Sequence, residues 1–168
     1  MRARFLILVL VAACGSSGED LGDGKTNPPD CDVFSSECMA CASALESDSA
    51  ACAIDPQACT AMQDIEMAIQ CFEDEGVCQK AALGKAASCH RSCCDVEQAN
   101  VETCVGECFV TRSECAVVEV RRFDQCYMIC NDPLSCAFCD ADFDSAMNGC
   151  NADAQRCADV CVMTHRPS

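Results

Sequence analysis

Cysteine is the residue through which this chain could do chemistry. Six of them fall at Cys115, Cys126, Cys130, Cys136, Cys139 and Cys150. About the break Asn131-Asp132-Pro133-Leu134-Ser135 they recede at near-mirror intervals, four and then eleven residues backward, three and then eleven forward. At about 100° per residue, each step returns a side chain to roughly one face of an α-helix. Two antiparallel helices folded about Asp132-Pro133 would therefore confront sulfur with sulfur. Such sulfurs can close cystines or hold a soft metal ion as thiolates.

The chain holds 21 cysteines in 168 residues, and 20 of them follow Cys14. An even number permits ten closed pairs, and this density signals a disulfide scaffold formed outside a reducing cytosol. Cysteines four apart on one helix have diverging Cβ directions. Cys104/Cys108, Cys126/Cys130 and Cys157/Cys161 thus each offer two sulfurs to a neighbouring helix. The mirror spacing suggests a nested set: Cys130–Cys136, Cys126–Cys139 and Cys115–Cys150 across the Pro133 turn, with Cys52–Cys59 and Cys41–Cys71 across Pro56. Sequence alone does not fix connectivity. Cys38-Met-Ala-Cys41 and Cys136-Ala-Phe-Cys139 are CxxC pairs. A redox role would want a βαβ setting that the sequence lacks, and as halves of a zinc site they lie far apart. Structural cystine is the simpler reading. Adjacent Cys93-Cys94 most simply sends bonds to two different helices.

Other residue types offer less. His90 and His165 are the only histidines, and no third group marks either as part of a nucleophile–base pair. Both read as surface residues. Asp140-Ala-Asp142-Phe-Asp144 starts like a calcium loop, but Ser145 stands where Gly is needed and Asn151 where the bidentate Glu belongs. These are read as solvated carboxylates, as is the turn Glu73-Asp74-Glu75. No catalytic, cofactor-binding or metal site is assigned, and the chain is not read as an enzyme.

Helices must position the cysteines. Asp55-Pro56 and Asp132-Pro133 each place an N-cap before a proline at the first helical position. Gly76 sits where a left-handed C-terminal residue would, Thr111 with Glu114 fits a capping box, and Asn151 and Asp153 could serve as caps. The intervening segments are rich in Ala, Glu, Gln and Met and free of proline. Helices are expected near 35–50, 56–73, 77–93, 96–109, 112–131, 133–149 and 154–165. The fifth, with Val117, Val118, Val120 and Phe123 beside Arg121-Arg122, is expected to be the central packing helix. No alternating apolar–polar run suggests a sheet. The fold class is all-α, an array of short antiparallel helical hairpins cross-linked by disulfides. With one Tyr, no Trp and 5% aromatic residues, little aromatic material is available for a large core, so cross-links must compensate.

The formal charge is −16. It argues against nucleic acid and against electrostatic docking on anionic lipid, and favours at most a cationic partner. At the N-terminus, two arginines precede an apolar run from Phe5 to Val11 that is too short to span a bilayer. Val11-Ala12-Ala13-Cys14 resembles the bacterial lipobox, with Val where Leu is commoner. That resemblance implies a signal peptide over 1–13, removal of Arg2 and Arg4 (which takes the charge from −16 to −18), and lipidation of Cys14. Several acyl chains anchor a protein where one does not. Residues 14–30 read as the lipidated cysteine and a flexible Gly/Ser/Asp/Pro tether, and 31–168 as the cysteine-rich all-α domain. By similarity to enteric lipoproteins, the lack of Asp just after Cys14 implies passage to the outer membrane.

The helical CxxxC and CxxC pairs are also loosely similar to cysteine-lined four-helix bundles that store Cu(I). That similarity implies thiolates in place of cystines. The leading expectation is a non-catalytic cell-envelope lipoprotein without cofactor, a structural or interaction module with a protein partner of cationic character. The Cu(I) store is its alternative.

Overall fold

The computed structural model describes residues 35–62 and 64–165. The proposed signal peptide, the tether and Cys14 lie outside them. Five helices follow one another: α1 (Ser36–Cys52), α2 (Pro56–Thr60), α3 (Ile65–Ser92), α4 (Val96–Ile129) and α5 (Pro133–His165). No strand occurs among the described residues, so the all-α expectation holds. α1 packs on α3, α3 on α4 and α4 on α5, with α2 against α3. The segment 112–131 is indeed central, as part of α4.

Helix starts follow the predicted chemistry. Asp55 accepts from the Gln57 N–H at 3.0 Å, with Pro56 at the first turn. Asp132 accepts from Leu134 and Ser135 N–H at 2.9 and 3.0 Å ahead of α5. Ser35, Asp64 and Asp95 cap α1, α3 and α4 in the same way. α3 ends with Cys94 at φ 66°, a left-handed residue where glycine is usual. The Asp95 N–H bonds the His90 carbonyl and the Cys94 N–H the Arg91 carbonyl, the two reverse bonds of a Schellman motif.

Seven short helices were expected, and longer ones formed. The stretches between Cys71 and Cys78, Cys108 and Cys115, and Cys150 and Cys157, where helix ends were expected, lie inside continuous helix. A seven-residue step is close to two turns, so it repeats a face and need not interrupt the helix. Each expected stop has another use. Thr111 bonds back to the Glu107 carbonyl, Asn151 accepts from Arg112, and Asp153 pairs with Arg156. Gly76 is helical and buried, where α3 and α4 approach closely. An added Cβ there would collide with the Ser113 hydroxyl and come within 2.7 Å of its Cβ.

Nine disulfides are placed among the described residues. Three join α1 to α3: Cys38–Cys93, Cys41–Cys89 and Cys52–Cys78. Cys59–Cys71 ties α2 to α3. Five lace α4 to α5: Cys104–Cys161, Cys108–Cys157, Cys115–Cys150, Cys126–Cys139 and Cys130–Cys136. Cys94 is disulfide-bonded as well, so every described cysteine is oxidised. The three pairs expected across Pro133 are formed. Cys52–Cys59 and Cys41–Cys71 are not: Cys52 bonds Cys78, Cys59 bonds Cys71 and Cys41 bonds Cys89. The reason is the pivot. α2 is a single five-residue turn, so α1 folds back on α3 about Ile65, and Pro56 is only a step on the way. Cys41/Cys89, Cys52/Cys78 and Cys59/Cys71 are all centred on Ile65.

None of the nine bonds joins α3 to α4. Among the described residues, the domain is therefore two cystine-laced hairpins that meet along a seam none of these nine bonds crosses. That seam carries the larger apolar cluster, in which Phe72 and Ile69 of α3 meet Ala116, Val117 and Val120 of α4, with Phe143 and Met147 of α5 behind them. A smaller cluster of Leu45, Cys52, Ala82, Leu83 and Ala86 lies between α1 and α3. Two buried polar pairs cross the seam. Arg112 donates to Glu75 at 2.5 Å and to Asn151 at 2.6 Å, linking α3, α4 and α5. His90 Nδ1 lies 2.9 Å from the Glu102 carboxylate, which also accepts from Gln98 at 2.8 Å. No buried side-chain polar atom among the described residues lacks a partner.

Candidate interaction surface at the hairpin tip

The expected surface histidine His90 is buried, and so is Glu75 of the expected solvated turn. Both face inward because α3 runs unbroken through the positions read as helix ends. A single face of that helix carries Glu75, Gln79, Ala82 and Ala86 to its neighbours. His90 Nδ1 pairs with Glu102, whose carboxylate also accepts from Gln98, which makes this pair a strut of the α3–α4 turn. Asp140, Asp142 and Asp144 are exposed on α5, as a solvated carboxylate run should be. His165 ends α5 and is half-buried.

The exposed apolar residues point elsewhere. The last turn of α4 carries Tyr127, Met128 and Ile129, and the start of α5 carries Leu134 and Phe138, which share a helix face. Met128 is 81% exposed, and Ile129, Leu134 and Phe138 are each 75% exposed. Single exposed apolar residues need no explanation, but several large ones on one turn make this the candidate interaction surface of the described residues. Local structure holds them there. Cys126–Cys139 and Cys130–Cys136 bridge the two helices with Cα atoms 5.8 and 5.3 Å apart. Asp132 caps α5, and Ser135 returns its hydroxyl to the Asp132 carboxylate at 2.9 Å. The same Ser135 backbone and hydroxyl bonds, with that from Leu134, hold the Asp132 carboxyl below its ordinary value. The cap therefore stays charged at neutral pH.

The surroundings carry one sign of charge. From Phe123 to Gln155 the chain has no Lys or Arg, while Asp124, Asp132, Asp140, Asp142, Asp144 and Asp153 all fall there. Tyr127 donates to Asp140 at 3.2 Å. Burial, then the hydrogen bond and charge of Asp140, push its phenol upward. Phe123 touches both Tyr127 and Phe143, with ring centroids 4.8 and 4.9 Å apart. The sequence signal for this surface is the set of apolar residues flanking Asp132-Pro133, interleaved with the mirrored cysteines.

Sulfurs converge at the other end of the α4–α5 hairpin. The Sγ atoms of Cys108, Cys157 and Cys161 lie within 4.8 Å of one another, with Cys108 and Cys161 3.7 Å apart. They belong to two neighbouring disulfides, Cys104–Cys161 and Cys108–Cys157. The CxxxC pair of each helix does offer both sulfurs to the next one.

The chain matches no protein-family model, no curated protein and no solved structure. No described helix is long and apolar enough to cross a membrane. The cystine framework assigns the domain to an oxidising, non-cytoplasmic environment.

Proposed function

We propose that this chain is a non-catalytic cell-envelope lipoprotein whose disulfide-locked domain presents the α4–α5 tip to a cationic, amphipathic protein surface. The observation that carries this reading is the exposure of Met128, Ile129, Leu134 and Phe138 on a turn braced by two cystines. A rigid tip loses little conformational freedom when it docks. The partner's charge follows from the carboxylates: a stretch of six Asp without a positive side chain repels another copy of itself and an anionic bilayer, and attracts a basic face.

The test uses the oxidised domain and two synthetic amphipathic helices, one of Leu and Lys, the other of Leu and Glu. Titration calorimetry should show saturable binding of the Lys peptide and none of the Glu peptide. The triple variant Met128→Ser, Ile129→Ser, Phe138→Ser should bind the Lys peptide at least tenfold more weakly, with an unchanged melting curve. Equal binding by the variant would remove the tip from the reading. So would concentration-dependent self-association through the tip in sedimentation, or binding to neutral vesicles with no peptide preference.

The lipid anchor rests on the resemblance of Val11-Ala12-Ala13-Cys14 to a lipobox. Mass spectrometry of the mature protein from a Gram-negative host should find an N-terminal Cys14 bearing a diacylglyceryl thioether and an amide-linked acyl chain. An unacylated mature N-terminus would sink it.

The alternative, a Cu(I) store, would have to open the disulfides that hold Cys108, Cys157 and Cys161 together. That reading requires these sulfurs as thiolates, and it predicts many titratable thiols on protein isolated without reductant. The cystine reading predicts none among the described cysteines.

A further inference from the structure

Beside the tip lies a cleft of about 380 Å³, within the range of sites that accept small ligands or single side chains. Ile65, Ala68, Val120 and Phe123 give it an apolar lining, and Asp124, Asp140 and Tyr127 also line it. No Lys, Arg or His is among its lining residues. Asp124 is half-buried and has no hydrogen-bond or ion-pair partner among the described residues. Asp140 is held by the Tyr127 hydroxyl through one oxygen, leaving the other available. Two carboxylates, two aromatic rings and an apolar wall form a setting for an organic cation. The carboxylates supply the charge, the two rings offer cation–π attraction, and the wall takes the hydrocarbon of the ligand.

We infer that this cleft receives a guanidinium-bearing side chain of the partner that docks on the tip. The assignment deepens the reading above and rests on it for the partner. Tyr127 makes the two surfaces continuous, since it lines the cleft and directly precedes Met128. An arginine suits the site better than a lysine. Its planar head can bond a carboxylate in bidentate fashion while stacking on an aromatic ring, and it is more weakly hydrated.

The probes are N-acetylarginine amide, its uncharged citrulline counterpart and tetramethylammonium, each titrated into the full oxidised domain and followed by NMR of the Phe123 and Tyr127 ring signals. The arginine compound should bind saturably with a millimolar constant, and the citrulline compound should not. Asp124→Asn with Asp140→Asn should weaken arginine binding at least tenfold. Asp142→Asn with Asp144→Asn removes the same charge outside the cleft and should change it less than twofold. Equal losses in the two double variants would mean a general field effect and overturn the site. Tighter binding of tetramethylammonium than of arginine would overturn the side-chain assignment in favour of a free ammonium solute. The tip triple variant should keep its affinity for the arginine compound, so failure of tip docking and failure of the cleft register separately.

Discussion

On reduction with excess phosphine, the protein is expected to lose its cooperative thermal transition, its far-ultraviolet helical signal falling to that of fraying, independent helices. Two small apolar clusters offer limited burial. Without cross-links the chain-entropy cost of folding faces little else. The nine bonds differ in weight. In the chain-entropy picture a separation of 57 residues, as in Cys104–Cys161, gives about 4 kcal/mol, and one of 6, as in Cys130–Cys136, about 2 kcal/mol. These contributions shrink as other bonds constrain the same loop. The check is a pair of melting curves with and without reductant, alongside a thiol titration of protein isolated in its native oxidation state. A fully reduced protein that still melts cooperatively at the same midpoint would overturn the cystine scaffold and favour the thiolate reading.

The second large effect falls on the seam that no described disulfide crosses. Glu75→Ala should cost about 3–5 kcal/mol, because it leaves the Arg112 guanidinium buried between α3 and α5 without its carboxylate. Glu75 and Arg112 side chains are only 8% and 11% exposed, so water cannot readily take the carboxylate's place. For a domain of this size the loss should lower the melting temperature by about 10 °C. Glu75→Leu with Arg112→Met should restore most of it, since an apolar pair of similar volume avoids both desolvation costs. Denaturant unfolding of the three proteins under oxidising conditions measures this directly. A loss under about 1 kcal/mol in Glu75→Ala, by the standard of exposed ion pairs, would mean that Arg112 escapes to solvent and that apolar packing alone holds the seam.

Much of the α4–α5 hairpin was legible from spacing. Four of its five bonds are centred on the Asp132–Pro133 junction and the fifth on Pro133. The mirror seen in six cysteines continues outward to Cys108/Cys157 and Cys104/Cys161, and extending it would have found both. The first hairpin was harder because Pro56 is a strong local signal that starts only one turn. The same mirror rule applied about Ile65 gives Cys41/Cys89, Cys52/Cys78 and Cys59/Cys71, but no turn residue at Ile65 announces the pivot. Local signals also misplaced the helix ends. Gly76, Thr111, Asn151 and Asp153 have cap chemistry, yet long-range contacts and bonds within the helix absorb each of them.

The sequence by itself determined an all-α, cystine-dependent domain, because helix periodicity and cysteine number are local or compositional properties. It also determined the fold-back at Pro133, where an Asp cap, a proline and mirrored sulfurs agree. Only the tertiary structure decided that His90, Glu75 and Arg112 are buried partners, that α3 meets α4 without a described disulfide, and that Asp124 and Asp140 share one cleft with Phe123 and Tyr127. Those facts depend on which helix faces meet. Facing is set by packing between segments distant in the chain, which no local pattern of residues specifies.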